Sequence, residues 1–143
     1  MSVTQVQQGM TTIVLTVGPT HTLREAARLM NERRVGAALV LDPEQPGPGI
    51  LTERDVLDSV GRGEDPDSEA VADHLSTNLT FAAPDWPLER AAEEMVRGGF
   101  RHLVVIDGGE PTGILSMRDI VRVWTENGFP GSAAERAPSG ALA

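Results

Sequence analysis

Apolar residues recur along this 143-residue chain in two kinds of run, one with helical spacing and one without polar interruption. The first kind places apolar residues at i, i+3, i+4 and i+7, which gathers them on one face of a helix. Its members are Leu23, Ala26, Ala27 and Met30. Thr22 and Glu25 have the spacing of a capping box and mark the start of this helix. The second kind, residues 37–41, is apolar throughout and predicts a strand buried on both faces.

The same pattern returns later in the chain. A shift of 65 residues superimposes identical residues in the same order. The matched pairs include Val6 with Val71, Thr12 with Thr77, Pro19 with Pro84, Leu23 with Leu88, Met30 with Met95, Val40 with Val105 and Asp42 with Asp107. After one residue is lost in a loop, a shift of 64 superimposes residues 49–51 on 113–115 and 54–55 on 118–119. This many ordered matches indicates a tandem duplication.

Each copy predicts the element order β-α-β-β-α. In the first copy the opening strand is expected at residues 13–17, and the last helix begins near Thr52, or near Ser116 in the second copy. A unit of about 50 residues buries too little surface to be stable alone, so two units should occur together. We therefore predict an α/β (α+β) fold, with tandem β-α-β-β-α repeats packed as a pseudo-twofold pair.

The duplication divides the chain into segments. We expect repeat 1 at residues 6–62, an acidic linker at 63–73, repeat 2 at 71–127 and a disordered tail at 128–143. From residue 53 to residue 73 there are eight acidic and two basic residues, which predicts an exposed, solvated stretch. The tail has no periodic apolar face that could pack on a core.

Composition narrows the possible classes of function. The 12 basic and 21 acidic residues give a net charge of −9, which argues against nucleic-acid binding because that needs a basic face. There is no cysteine and every basic residue is arginine, so thiolate chemistry and lysine-based catalysis are excluded. The three histidines show no metal-ligand spacing. We expect no catalytic residue, no metal, no required cofactor and no membrane span, in a cytoplasmic protein.

A short motif occurs once in each copy: Gly-Ile-Leu-Thr-Glu-Arg-Asp at residues 49–55, and Gly-Ile-Leu-Ser-Met-Arg-Asp at 113–119. We call these stretches the signatures. The structural interpretation is that the hydroxyl and the carboxylate form a helix-capping box. The functional interpretation is that the hydroxyl and free backbone N–H groups bind a phosphate while the carboxylate accepts hydrogen bonds from a ribose diol. In that case Gly49 and Gly113 would let the backbone approach the ligand closely.

The duplicated unit and its signature resemble a cystathionine β-synthase (CBS) domain pair, also called a Bateman module, over roughly residues 6–126. The resemblance implies binding of AMP, ADP, ATP or S-adenosylmethionine as a regulatory ligand. It assigns the ribose contact to Asp55 in one site and Asp119 in the other, and the phosphate contact to Thr52 and Ser116. It also implies a homodimer and a separate, unidentified protein that the module regulates.

Basic residues before the second strand often reach phosphates in this family, and here that position holds Arg101 and His102. A solvated charge and a structural histidine are the alternative interpretations of these two residues. The first copy has Gly36 and Ala37 instead, so the second site should bind an adenosine nucleotide better. The candidate nucleotide-binding residues are Thr52, Arg54, Asp55, Arg101, His102, Ser116, Met117, Arg118 and Asp119. Neither His21 nor His74 is expected to be catalytic.

The sequence therefore predicts a stand-alone regulatory module and not an enzyme. Its helices carry more apolar residues than one small core can bury, which supports the homodimer. These residues are Val56, Leu57, Val60, Ile120, Val121 and Trp124. Two alternatives stay open: a structural dimerisation module whose signatures only cap helices, and a small nucleotide-processing enzyme.

Overall fold

The computed structural model describes residues 4–12 and 15–130. The elements in chain order are α1 (Val6–Gly9), β1 (Thr16–Val17), α2 (Leu23–Arg33), β2 (Ala37–Val40), β3 (Gly49–Thr52), α3 (Glu53–Gly61), a 3₁₀ turn (Val71–Asp73), β4 (Phe81–Ala82), α4 (Leu88–Gly98), β5 (His102–Asp107), β6 (Glu110–Ser116) and α5 (Met117–Asn127). The opening strand predicted at 13–17 is described only from residue 15 onwards. Most of the predicted tail, residues 131–143, lies outside the described residues.

The chain forms two compact units. The N-terminal unit is described over residues 15–80, and the C-terminal unit over residues 4–12 together with 81–130. Each holds a three-stranded sheet, ordered β1-β2-β3 or β4-β5-β6. In each sheet the first strand runs parallel to the middle strand and the third runs antiparallel to it. The predicted fold class and the β-α-β-β-α order are confirmed in both copies.

The first helix of each copy buries the stripe that its spacing predicts. Leu23, Ala26 and Met30 of α2 are buried, and so are the equivalent residues of α4. The capping box at the start of α2 is formed: the Glu25 amide donates to Thr22 Oγ1 over 3.1 Å, and the Thr22 amide donates to Glu25 Oε1 over 2.9 Å. These bonds hold the pKa of Glu25 below its usual value. The helix start is therefore set by local hydrogen bonds and its orientation by the buried stripe.

The segment at the start of repeat 1 packs in the C-terminal unit. Val6 is fully buried in the core formed with Leu88, Leu103 and Val123. Its amide donates to the carbonyl of Trp86 over 2.8 Å. The repeat bounds of 6–62 and 71–127 therefore do not coincide with the compact units, because part of the first copy completes the core that belongs to the second.

The acidic linker is anchored in the N-terminal unit by one buried residue, while the rest of it is exposed or partly exposed. Val71, the counterpart of Val6, is fully buried, and its amide donates to the carbonyl of His21 over 2.8 Å. Asp67 of the linker pairs with Arg24 on α2. The charges of the linker stay at the surface while a single valine enters the core.

None of the helices in residues 4–12 and 15–130 is long and apolar enough to cross a membrane.

We predict that Val6→Ala and Val71→Ala each lower the free energy of unfolding by about 2 kcal/mol, because each removes two buried methyl groups from a closed core. The exposed Val96→Ala is the matched control and should change stability by less than about 0.5 kcal/mol. Urea denaturation of the full chain measures all three. If Val6→Ala and Val71→Ala changed the free energy of unfolding as little as Val96→Ala does, the two segments would not be part of the cores.

Candidate functional site

Both signatures form complete helix caps. At the start of α3, the Thr52 amide donates to Asp55 Oδ2 over 2.8 Å, and the Asp55 amide donates to Thr52 Oγ1 over 3.3 Å. At the start of α5, the Ser116 amide donates to Asp119 Oδ2 over 2.9 Å, and the Asp119 amide donates to Ser116 Oγ over 3.0 Å. The structural interpretation of the signatures is thus present in the molecule.

The caps leave part of each carboxylate available. A carboxylate has two oxygens and about four acceptor positions, and the cap uses Oδ2 alone. Among the described residues, Oδ1 of Asp55 has no hydrogen-bond partner, and Oδ1 of Asp119 lies 3.4 Å from Nη2 of Arg122. Capping and the predicted ribose contact therefore do not require the same oxygen.

The backbone amides of the first helical turn are less available than the sequence led us to expect. The Met117 amide donates to the carbonyl of Arg101 over 2.8 Å, and the Glu53 amide donates to the carbonyl of Gly36 over 2.9 Å. The Asp55 and Asp119 amides are taken by the caps. A phosphate at either helix start would have to be held mainly by side-chain cations, because most of the amides that hold anions at other helix termini are occupied.

The predicted residues of repeat 2 come together around the start of α5. His102 is the direct cross-strand partner of Ser116, and Arg101 precedes it next to Met117. Directly opposed residues of an antiparallel pair project from the same face of the sheet, so His102 and Ser116 are neighbours. In repeat 1 the same positions pair Ala37 with Thr52.

The signature arginines are exposed. Arg54 and Arg118 form no ion pair within the part of the chain that the structure describes. Arg101 is also exposed, as expected for a residue at the edge of its strand. These side chains can therefore turn toward an anion without breaking an existing bond.

The signature glycines have a packing role that the sequence did not predict. A Cβ atom on Gly113 would lie 2.7 Å from Met10 Sδ and 2.9 Å from the carbonyl oxygen of Thr11. In the N-terminal unit a Cβ atom on Gly49 would lie 2.7 Å from Leu75 Cδ1. Glycine is required because another part of the chain passes close to it: residues 10–11 pass over Gly113, and residues 75–76 pass over Gly49. This packing explains both glycines without a ligand.

Two residues at these sites were missed by sequence reasoning. Arg122, one turn after Asp119, donates to Asp119 Oδ1 and, over 3.0 Å, to the carbonyl oxygen of Gly9. Its i, i+3 spacing from Asp119 was the available signal. Glu53 was missed because Met117, at the same position in the second copy, is uncharged.

One further group of polar side chains lies in the N-terminal unit. The possible ligand atoms of Glu64, Glu69 and His74 lie within 4.8 Å of one another. His74 Nε2 lies 2.7 Å from Glu69 Oε1, and buried Ser59 donates to Glu64 over 2.6 Å. The bond from Ser59, with Arg62 and His74 nearby, holds the pKa of Glu64 below its usual value. These bonds account for the group as an anchor that fastens the linker to α3.

The family model named CBS domain matches residues 3–62 and again residues 71–126. The chain belongs to the CBS domain family. The CBS domain-containing protein YhcV of Bacillus subtilis is 35% identical over 129 residues, which are 90% of this chain and 91% of that protein. The CBS family resemblance drawn from the signatures is confirmed.

Solved CBS structures share the fold. A CBS domain protein from Pyrobaculum aerophilum, complexed with AMP, has a TM-score of 0.71 and 30% identity, covering 81% of this chain and 89% of that one. The CBS domain pair of protein MJ0100, in complex with 5′-methylthioadenosine and S-adenosyl-L-methionine, has a TM-score of 0.77 and 19% identity. It covers 87% of this chain and 98% of that one, and at this identity the likeness shows the fold alone.

Proposed function

We propose that this CBS chain is a regulatory module that binds an adenosine-containing ligand at its signature helices and conveys the bound state to a separate protein. Asp55 and Asp119 accept hydrogen bonds from the ribose hydroxyls. Thr52 and Ser116 lie beside the 5′ substituent. Arg54, Arg101, His102 and Arg118 supply positive charge for a phosphate, and Met117 contributes apolar contact next to Arg101. The cytoplasmic location expected from the sequence stays a prediction.

The observation that carries the proposal is the second carboxylate oxygen of each capping aspartate, which the cap does not use: Oδ1 is unpartnered in Asp55 among the described residues and contacts only Arg122 in Asp119. A residue that only capped its helix would do so equally well as glutamate or glutamine, the usual residues at this position of a capping box. Aspartate at both helix starts leaves a short, fixed carboxylate whose Oδ1 is not bonded by the cap. Such a carboxylate, held by its own helix, is prepared to accept the two donors of a ribose diol.

The ligand belongs to the class of AMP, ADP, ATP and S-adenosylmethionine. AMP is supported by the complex of the Pyrobaculum aerophilum relative, which is 30% identical to this chain. An adenosyl ligand without phosphates is supported more weakly, because the protein in complex with 5′-methylthioadenosine is related by fold alone.

A regulatory role fits the site better than an enzymatic one. General acid–base catalysis needs a paired acid and base, and nucleophilic catalysis needs an activated nucleophile. Within the described residues, the hydroxyls of Thr52 and Ser116 are engaged in the helix caps, each accepting the amide of its capping aspartate. A nucleotide-processing enzyme remains the alternative that measured phosphate release from ATP would favour. A purely structural dimerisation module is the other alternative.

We predict that ribose binding depends on the second carboxylate oxygen. Substituting asparagine for the aspartate tests this, because asparagine can still cap the helix. In Asp119→Asn one side-chain oxygen can still accept the Ser116 amide, but the charged acceptor for ribose is lost. We expect Asp119→Asn to weaken AMP binding by about 10-fold to 100-fold, in the range for a hydrogen bond to a charged group, while thermal stability changes little. Isothermal titration of wild type, Asp55→Asn and Asp119→Asn with AMP and ATP measures this.

Equal affinities in all three proteins would show that the aspartates only cap their helices. The absence of any heat of binding in wild type would favour the structural dimerisation module instead.

We propose that the chain forms a homodimer through the exposed apolar residues of α3 and α5. Leu57 and Val60 on α3 are 62% and 49% exposed, and Val121 on α5 is 51% exposed. Trp124 is partly buried and contacts Phe129 in a tilted arrangement, with ring centroids 6.1 Å apart and an interplanar angle of 57°. Ile120, which we expected at this surface, is instead buried in the core of the C-terminal unit.

Light scattering of the full chain should give about twice the chain mass of 15.3 kDa. Leu57→Glu combined with Val121→Glu should give the monomer mass, since each places a charge in an apolar interface. The exposed Val96→Glu serves as the control and should leave the dimer intact. A wild-type mass of one chain would contradict the homodimer.

A further inference from the structure

The starts of α3 and α5 share one backbone geometry but carry opposite charge. We define the α5 site as Arg101, Met117, Arg118, Asp119 and Arg122, and the α3 site as Gly36, Glu53, Arg54, Asp55 and Asp58. Three arginines against one aspartate give the α5 site a net charge of +2. One arginine against one glutamate and two aspartates gives the α3 site a net charge of −2.

The two sites correspond position by position. The Glu53 amide donates to the carbonyl of Gly36 over 2.9 Å, and the Met117 amide donates to the carbonyl of Arg101 over 2.8 Å. In each bond the donor is the residue after the helix cap and the acceptor is the residue before the middle strand. Glu53 therefore corresponds to Met117, and Gly36 corresponds to Arg101. A difference in their side chains acts at the same place in both units.

At the α3 site a carboxylate takes the place of the arginine. A Cβ atom on Gly36 would lie 3.0 Å from Oε1 and 3.2 Å from Cδ of Glu53. The Glu53 carboxylate thus occupies the space above Gly36 that a side chain would fill, and glycine leaves room for it. The first unit therefore presents a negative group where the second unit presents Arg101.

The second charge difference lies one turn further along each helix. Arg122 of α5 lies 3.4 Å from Asp119 Oδ1 and neutralises part of its charge. The same position of α3 holds Asp58, which is exposed and forms no ion pair within the described residues. Residues three apart on a helix are neighbours, so Asp58 adds to the negative charge of Asp55 where Arg122 offsets that of Asp119.

These side chains decide what the sites accept, because the amides that hold anions at other helix starts are mostly engaged in both units. Exposed charges act over a Debye length of about 8–10 Å at physiological salt, which exceeds the separation between a ribose and its 5′ substituent. A phosphate at the α3 site would meet Glu53 and Asp58 within that range. At the α5 site it would meet arginines.

We infer that the α3 site selects an adenosyl ligand whose 5′ substituent carries no net negative charge, a thioether or a sulfonium, while the α5 site takes the phosphate-bearing ligand. The inference rests on the proposed function and assigns a different ligand class to each of its two sites. Glu53 and Asp58 are the residues that reject phosphate at the α3 site.

The test weakens the α5 site with Asp119→Asn and follows binding of 5′-methylthioadenosine and of AMP at the α3 site through the amide NMR resonances of residues 52–55. The account predicts that 5′-methylthioadenosine binds at least about 10-fold more tightly than AMP. Adding Glu53→Met and Asp58→Arg, the residues of repeat 2, should tighten AMP binding by about 10-fold or more and change 5′-methylthioadenosine binding by less than about twofold. The gain for AMP should shrink at high salt.

A matched control makes the same change of charge elsewhere in the unit. Glu44→Met with Asp42→Arg, in the exposed loop between β2 and β3, should leave the ratio of the two affinities within about twofold of its starting value. If the α3-site variant and the loop variant shift the ratio of the two affinities equally, the overall charge of the unit causes the shift. The inference then fails.

The outcomes separate the inference from the proposed function. AMP binding to the α3 site as tightly as 5′-methylthioadenosine, with both weakened at least about 10-fold by Asp55→Asn, overturns the inference and leaves the proposed function standing. No binding of either ligand to the wild-type chain overturns both.

Discussion

The pair of hydrogen bonds that closes each signature cap is the interaction on which the rest of the candidate site depends. It holds the aspartate at the third helical position so that the cap bonds Oδ2 and does not use Oδ1. It also occupies the amides that would otherwise attract an anion to the helix start. A helix start of this kind has a fixed acceptor for a sugar and little backbone affinity for phosphate, so phosphate preference passes to the neighbouring side chains. This is why two sites with the same backbone can differ in the ligand they accept.

The second constraint is that each core needs a segment from outside its own β-α-β-β-α unit. Val6 and Val71 enter equivalent positions of the two cores, and the segments that carry them pair with β6 and β3 through bridges at Ile114 and Ile50. The glycine before each isoleucine is required because the segment passes directly over it. The signature begins with a glycine for packing and ends with an aspartate for capping, so one short motif both closes the core and holds the residues of the candidate site.

Much of this could be predicted from the chain alone, because the decisive signals are local or repeated. The stripes of α2 and α4, the caps at Thr52 and Ser116 and the β-α-β-β-α order follow from spacing within about ten residues. The burial of Val6 and Val71 could not be predicted, because one valine in a polar segment leaves no periodicity, and the acidic linker resembled a solvated stretch. The role of Arg122 and the position of the Glu53 carboxylate over Gly36 depend on side-chain geometry, which spacing does not determine. The duplication still showed where to look: both charge differences are mismatches between otherwise aligned copies.

The most direct test of the central claim, that the α5 site holds a phosphate-bearing adenosine ligand and the α3 site rejects it, is an amide NMR titration of the full chain with AMP. The account predicts that the resonances of residues 101–102 and 116–119 shift first and saturate, while those of residues 52–55 respond only at much higher AMP. Simultaneous shifts of equal size at both signatures, or shifts confined to residues outside them, would contradict it.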